Sequence, residues 1–286
     1  MRGEVARQVE AALGAEIREA HPVSGGSIND AYRCQLADGR CVFVKTNTLH
    51  PRMFACEARG LAWLAEAGAL RVPTVLAVSG DRDRTGFLVL EHLEARRAPD
   101  YEVALGRGLA ALHRAGAPSF GLDEDNYLAT LEQDNTPADR WPAFYSQRRL
   151  SPLVCAAVDA GHAPRSWIGA FERLYARMDE LAGPPEPPAR LHGDLWSGNL
   201  HGDERGAPVL IDPAVYGGHR EIDLAMLTLF GGPGPRCFAA YDEVYPRAPD
   251  HQDRVPLYQL YPLLAHVALF GGSYVGSVDA ALRRLI

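Results

Sequence analysis

The chain has 286 residues, of which 47% are hydrophobic, and a formal net charge of −7. That length and apolar content suit one large domain or two coupled lobes with a sizeable core. The acidic balance excludes nucleic acid as a main partner, and no apolar run approaches the ~20 residues of a membrane helix.

In chain order, Val5, Val9, Leu13 and Ile17 recur at helical spacing, which predicts an amphipathic N-terminal helix. The segment has charges throughout and no signal-peptide apolar core. A Gly-containing loop, Ser24 to Asp30, comes next. "AYRCQLADGRCVFVK" then places two β-prone stretches around Asp38-Gly39, a strong hairpin signal. Residues 54–67 read as a helix with Glu57, Leu61 and Leu64 on one stripe, and residues 72–93 read as two strands around a polar turn at 80–86.

The remainder is mostly helical. Tyr101, Leu105, Leu109 and Leu112 mark one helix, and Trp167, Phe171, Leu174, Met178 and Leu181 mark another, ended by "GPPEPP". Residues 199–201 and 208–211 suit a small hairpin, and helical patterns resume from Glu221. The composition shift near residue 95 divides the chain into a β-rich N-terminal lobe, 1–95, and a mainly helical C-terminal lobe, 96–286. The expected fold class is therefore α+β. Five cysteines without a C-x-x-C pair argue against a disulfide framework or a zinc site. Reduced thiols in a cytoplasmic protein are expected, with a monomer as the default.

Chemistry concentrates in "LHGDLWSGNLHGDERGAPVLID", residues 191–212. His192-Gly193-Asp194 followed by Asn199 has the H-x-D-x-x-x-x-N spacing of a kinase catalytic loop. Asp194 would accept a hydroxyl proton. Asn199 offers a neutral oxygen, and Asp212, at a strand end, a carboxylate, to Mg²⁺, which prefers hard oxygen ligands. Alone, each acidic residue would read as a turn or cap. Lys45 follows the apolar run Val42-Phe43-Val44, as the phosphate-contacting Lys of a kinase sits on its third strand. Glu57, a carboxylate on an apolar stripe, needs a partner, and Lys45 is the one at hand. Gly25, Gly26 and Ser27 lie just before the Lys45 hairpin, in a loop whose backbone N–H groups would fold over phosphates. ATP and Mg²⁺ are thus the expected cofactors. Asp212 is followed by "PAVYGGHREIDLAM", with no D-F-G and no A-P-E, so a small-molecule acceptor fits better than a protein one.

The segments "GGSINDAY", "VFVK", "EARGLAWL", "VLEHL", "LHGDLWSGN" and "VLIDPAVYGGHREIDLAM" resemble the fructosamine-3-kinase (ketosamine-3-kinase) family, from about residue 20 to the C-terminal helices. Aminoglycoside and choline kinases share H-G-D and the metal Asp. The Trp after H-G-D-L and the D-P-A-x-x-x-G-H-x-E-x-D-L-A-M run favour the ketosamine branch. The resemblance implies a protein-kinase-like two-lobed fold, with Asp194 as proton acceptor, Asn199 and Asp212 as Mg²⁺ ligands, and Lys45 paired with Glu57 and the ATP phosphates. It matches Glu91, His92 and Leu93 to the backbone bordering adenine, and Asp223 to an Asp that braces the catalytic loop. His192 would orient that loop. Trp196 either stacks on the acceptor or packs the loop. His219 and His266 either line the substrate cleft or are structural. Many family members carry Cys where Ser27 stands, which leaves redox control through this loop without its thiol.

The implied activity is ATP-dependent phosphorylation of a sugar hydroxyl, the 3-hydroxyl by analogy, on a fructosamine, ribulosamine or related adduct, in deglycation repair. An aminoglycoside or choline-type kinase of the same fold is the alternative. Asp242, Glu243, Asp250 and Asp253 would suit its polycationic acceptor. A non-catalytic nucleotide-binding module is the third possibility, disfavoured because neither the base nor a metal ligand is missing.

Overall fold

The structure, a computed structural model, describes residues 1, 3–23, 29–80, 85–94 and 96–286. They form two compact units. The first comprises residues 1–101 and 201–213, the second 102–200 and 214–286.

The first unit is built on a five-stranded antiparallel sheet in the order β1-β2-β3-β5-β4, with β1 at Ile17–Pro22, β2 at Asp30–Leu36, β3 at Cys41–Asn47, β4 at Val75–Val78 and β5 at Gly86–Glu91. Helix α1, Gly3–Leu13, buries Val5 and Val9 in a cluster with Cys34, Leu36, Val42, Val44, Phe87 and Val89. The expected continuation of this helix through Ile17 does not occur. Gly14 adopts a left-handed conformation (φ 65°) that stops the helix. Ile17 instead opens β1 opposite Leu36, its N–H bonded to Glu10 Oε1 at 2.9 Å. The Asp38-Gly39 turn joins β2 and β3: Gly39 takes φ 91°, and the Asp38 carboxylate accepts the Arg40 N–H at 3.0 Å. Helix α2, Met53–Ala65, buries Leu61 and Leu64 and carries Glu57 on the same stripe. The hairpin of Leu200–Gly202 and Pro208–Leu210 forms as the sequence predicts. Its turn is closed by Asp203 N–H to Ala207 O at 3.0 Å.

The second unit is mainly helical. Trp141, Phe144, Tyr145, Trp167, Phe171, Leu174, Tyr258 and Leu264 are among its core side chains. The single helix expected through Leu181 is interrupted: Arg177 (φ −107°, ψ 6°) separates Ser166–Ala176 from Met178–Leu181, although Trp167, Phe171, Leu174 and Met178 all remain in one core. Two features escape periodicity. A π-helical turn, Tyr145–Leu150, sits inside a helical run and buries Arg149 under the rings of Phe144 and Tyr216, at 4.6 and 4.0 Å. A short strand pair, Ala189–Leu191 with Tyr216–Gly218, leads directly into the His192 loop. Helix Glu221–Leu229 begins where the pattern predicts.

Candidate active site

In the first unit, β3 points Lys45 inward, where it is 6% exposed. Its Nζ donates to Glu57 Oε1 at 2.7 Å and to Asp212 Oδ1 at 2.5 Å. Burial alone would lower the Lys45 pKa, but the Asp212 and Glu57 carboxylates outweigh it and hold the ammonium above its ordinary value. Lys45 is thus a firmly charged cation. Asp212 follows the buried strand Pro208–Leu210 and takes φ 55°, a left-handed conformation in a non-glycine residue. Asp is among the few side chains that tolerate it, and such strain tends to persist where surrounding structure fixes a functional group.

A cavity of about 170 Å³ is lined by Val23, Phe43, Pro73, Leu90, the segment Glu91–Leu93, His201, Ile211 and Asp212. It is largely apolar, as small-molecule pockets generally are. The Glu91 side chain is engaged elsewhere: Oε2 bonds Arg71 at 2.7 Å and Oε1 accepts the Thr74 N–H at 2.8 Å. Partial burial, then the Arg33 charge, lower the His92 pKa, so its ring is neutral at pH 7. Gly25, Gly26 and Ser27 lie outside the described residues.

In the second unit, the loop after Ala189–Leu191 is fixed from below. The Asp223 carboxylate, 1% exposed, accepts the backbone N–H of His192 at 2.8 Å and of Gly193 at 3.0 Å. His113 Nε2 lies 3.3 Å from the same carboxylate, and His113 Nδ1 lies 2.8 Å from the Tyr241 hydroxyl. With Nε2 protonated, the ring donates to Asp223 and accepts from Tyr241. Gly193 has φ 83°, and a Cβ there would stand 2.0 Å from Ala214 O, so only glycine fits. The buried His192 accepts the Asp194 N–H at Nδ1, 3.2 Å away. The Asn199 side-chain amide donates to Asp194 O at 2.8 Å and to Asp194 Oδ2 at 3.0 Å. The Asp194 carboxylate is therefore aimed by a neighbour five residues on, the spacing that the 3₁₀ turn Ser197–Asn199 requires.

Trp196, 37% exposed, meets Phe230 edge-on at 6.3 Å, and Phe230 packs on His266 at 4.8 Å, which in turn packs on Tyr274 at 4.8 Å. The structure thus joins Trp196 to His266 through Phe230, with Tyr274 packed on both Phe230 and His266, and the sequence reading missed Phe230 and Tyr274. His219 lies elsewhere. It is 2% exposed, stacked on Tyr258 at 5.2 Å, and its Nδ1 accepts the Glu221 N–H at 3.3 Å. His113 had a visible signal, since it sits four residues after Leu109 on the apolar stripe of its helix. Phe230 and Tyr274 had none, because each stands at a helix boundary, Phe230 just past Glu221–Leu229 and Tyr274 just before Val275–Leu285, where the apolar period gives no signal.

A buried ion pair between a Lys of an antiparallel sheet and a Glu of the helix that follows it, and an Asp–Asn loop on a helical unit, define a protein of the protein-kinase-like class. The solved structure of a thermostable mutant of aminoglycoside phosphotransferase APH(4)-Ia, 16% identical, shares this fold with a TM-score of 0.65 over 98% of both chains. Closer likeness narrows the class. The fructosamine kinase family model matches residues 1–286. A solved structure from Thermobifida fusca, titled as a fructosamine-3-kinase, is 40% identical with a TM-score of 0.90, covering 100% of this chain and 99% of its own. A protein of Enterococcus faecium named as a ketoamine kinase is 38% identical over 270 residues, 91% of this chain and 93% of its own. The chain belongs to the fructosamine kinase family.

Proposed function

We propose that the protein transfers the γ-phosphoryl group of ATP to a sugar hydroxyl of a ketosamine, the 3-hydroxyl by family analogy, destabilising the adduct and so freeing the glycated amine. The observation that carries this reading is the Asp194 carboxylate held by the Asn199 amide on a loop that Asp223 clamps through two backbone amides. Asp194 takes the proton of the acceptor hydroxyl as its oxygen bonds to phosphorus, and the bond to the bridging oxygen of ADP breaks. Lys45, kept charged between two carboxylates, neutralises phosphate oxygens. The cavity beside Glu91–Leu93 takes the base. Family membership supports each assignment.

The residues present suit Mg²⁺. Asn199 donates its amide nitrogen to Asp194, so the atom it would offer the ion is its oxygen, and Asp212 would offer a carboxylate with 42% of its side chain exposed. Both are hard oxygen donors of the kind Mg²⁺ takes alongside phosphates and waters. The ion, when bound, offsets phosphate charge as it shifts to the leaving group. Trp196 and the rings joined to it offer an aromatic face to the sugar or its amine-bearing arm.

The test is an ADP-release assay with Mg-ATP against fructoselysine, ribuloselysine, erythruloselysine, an aminoglycoside, choline and no acceptor. Turnover is expected with ketosamines. Asp194→Asn should cut it by about 10²–10⁴, the usual worth of a general base, with nucleotide affinity retained. Near-normal turnover in that variant removes Asp194 as the base, and turnover confined to the aminoglycoside or choline replaces the acceptor.

A further inference from the structure

The nucleotide cavity of the first unit is bounded by pieces of chain far apart in sequence: Pro73, residues 90–93, and residues 201, 211 and 212. A side chain that does not line the cavity holds these pieces together. Arg71 lies between α2 and β4. Its carbonyl accepts the Leu210 N–H at 2.9 Å, and the residue bridges Val209 in parallel register. Its guanidinium reaches Glu91 Oε2 at 2.7 Å through Nη2. Through Nη1 it reaches Asp203 Oδ2 at 3.2 Å and Glu204 Oε2 at 3.0 Å. Glu91 passes the constraint on, because its other oxygen accepts Thr74 N–H and Thr74 Oγ1 at 2.8 and 3.1 Å. Thr74 O in turn accepts the Glu91 N–H at 3.0 Å.

We propose that Arg71 is a positioning residue for ATP, tying the Glu91–Leu93 wall of the cavity to the hairpin that delivers Ile211 and Asp212; this rests on the kinase reading of the site. Three carboxylates converge on one guanidinium. Without it, Glu91, Asp203 and Glu204 repel one another beside a pocket that must also receive a polyanion. The planar fork matters, because a guanidinium serves several carboxylates at once where an ammonium is a point charge. The hairpin keeps a further tie, Ala98 N–H to Gly206 O at 3.1 Å. Loss of Arg71 therefore loosens the cavity without releasing the hairpin.

The experiment compares wild type, Arg71→Ala and Arg71→Lys by calorimetric titration with ADP and by steady-state kinetics, with thermal melting alongside. Partly exposed charge networks of this kind are worth about 1 kcal/mol or slightly more, so Arg71→Ala should raise the ADP Kd and the ATP KM by about 5–10-fold. Arg71→Lys should recover part of that, while the acceptor KM stays put and kcat per active enzyme changes little. Should Arg71→Ala fail to fold, Glu91→Gln removes the same ion pair and should raise the ATP KM in the same direction. An ATP KM at the wild-type value, or equal damage in the Ala and Lys variants, overturns the role of Arg71. Wild type that binds no nucleotide overturns the kinase reading itself.

Discussion

Asp223→Asn isolates the clamp beneath the catalytic loop. The side chain is 1% exposed and accepts two backbone N–H groups, from His192 and Gly193. Asparagine keeps the shape but has a single acceptor oxygen; its NH₂ then faces the second amide donor. One charge-assisted bond is lost and one buried N–H is left unsatisfied, a cost of about 1–3 kcal/mol. For a chain of this size that corresponds to a fall in Tm of very roughly 2–10 °C. The kinetic cost comes from geometry. Asp194 is the next residue after Gly193, and a displacement of about 1 Å at a reacting group can cost ~10²-fold. We expect kcat to fall by about 10–100-fold, measured as ADP release at saturating ketosamine and ATP, with the ATP KM within about twofold. A variant with wild-type kcat and unchanged Tm would refute the clamp.

Three further perturbations test other parts of the site. Lys45→Met should lower kcat by about 10²–10³, the usual cost of removing one charge-stabilising donor, and should lower Tm because Glu57 is left buried without its cation; a Lys45→Met/Glu57→Leu double variant should recover Tm but not activity, and recovered activity would remove Lys45 from the chemistry. Gly193→Ala in its present conformation would both hold a left-handed non-glycine residue, at about 1–2 kcal/mol, and press its Cβ against the Ala214 carbonyl, so melting and turnover should drop together; an unaffected enzyme would disprove the close approach. Burial depresses the His219 imidazole below its ordinary 6.5 in the folded protein, so as pH falls below about 6.5 the unfolded chain takes up the proton first and stability declines. His219→Phe, which keeps the ring on Tyr258, should shrink the difference in Tm between pH 7.5 and 5.5, and an unchanged difference would refute the assignment.

The local signals in the sequence worked where one residue type had one job. The Asp38-Gly39 turn, the stripe carrying Glu57, and the spacing from Asp194 to Asn199 were all legible, because turn chemistry and helix period act within a few residues. The pairing of Lys45 with Glu57 was legible for a different reason: a carboxylate among apolar neighbours demands a cation. Ile17 was misjudged because it keeps the i, i+4 rhythm of Val5, Val9 and Leu13, while a single left-handed glycine outweighs that rhythm. Arg177 broke a helix whose apolar stripe continues across the break, so burial and helicity separated there. The π-turn around Arg149 follows from that guanidinium packing between Phe144 and Tyr216, a contact with no sequence period. Likewise, nothing in the letters joins Trp196 to Phe230 or Arg71 to Glu91, since both pairings are products of tertiary packing.

The acceptor is the point on which sequence reasoning pulled two ways, and the side chains of the second unit weigh on it. A polycationic aminoglycoside calls for carboxylates available to its ammonium groups. Of the four acids that kept that reading open, Asp242 is gripped by Arg247 at 2.7 Å and Glu243 by Arg107 at 2.9 Å. Asp250 and Asp253 stand together at the start of helix His251–Phe270, joined by Asp253 N–H to Asp250 O at 3.0 Å. A polycation would have to displace arginines from half of this set, giving back much of what it gained. The residues after Asp194 offer another kind of surface. Trp196, Phe230, His266 and Tyr274 form a connected run of rings, and under the proposed function Trp196, 37% exposed, would meet the sugar or its single amine, for which a cation–π contact supplies about 0.5–2 kcal/mol. One sugar bearing one amine is the composition of a ketosamine, so the acceptor contact proposed for Trp196 is one that a ketosamine can make without competing with the arginines that hold Asp242 and Glu243.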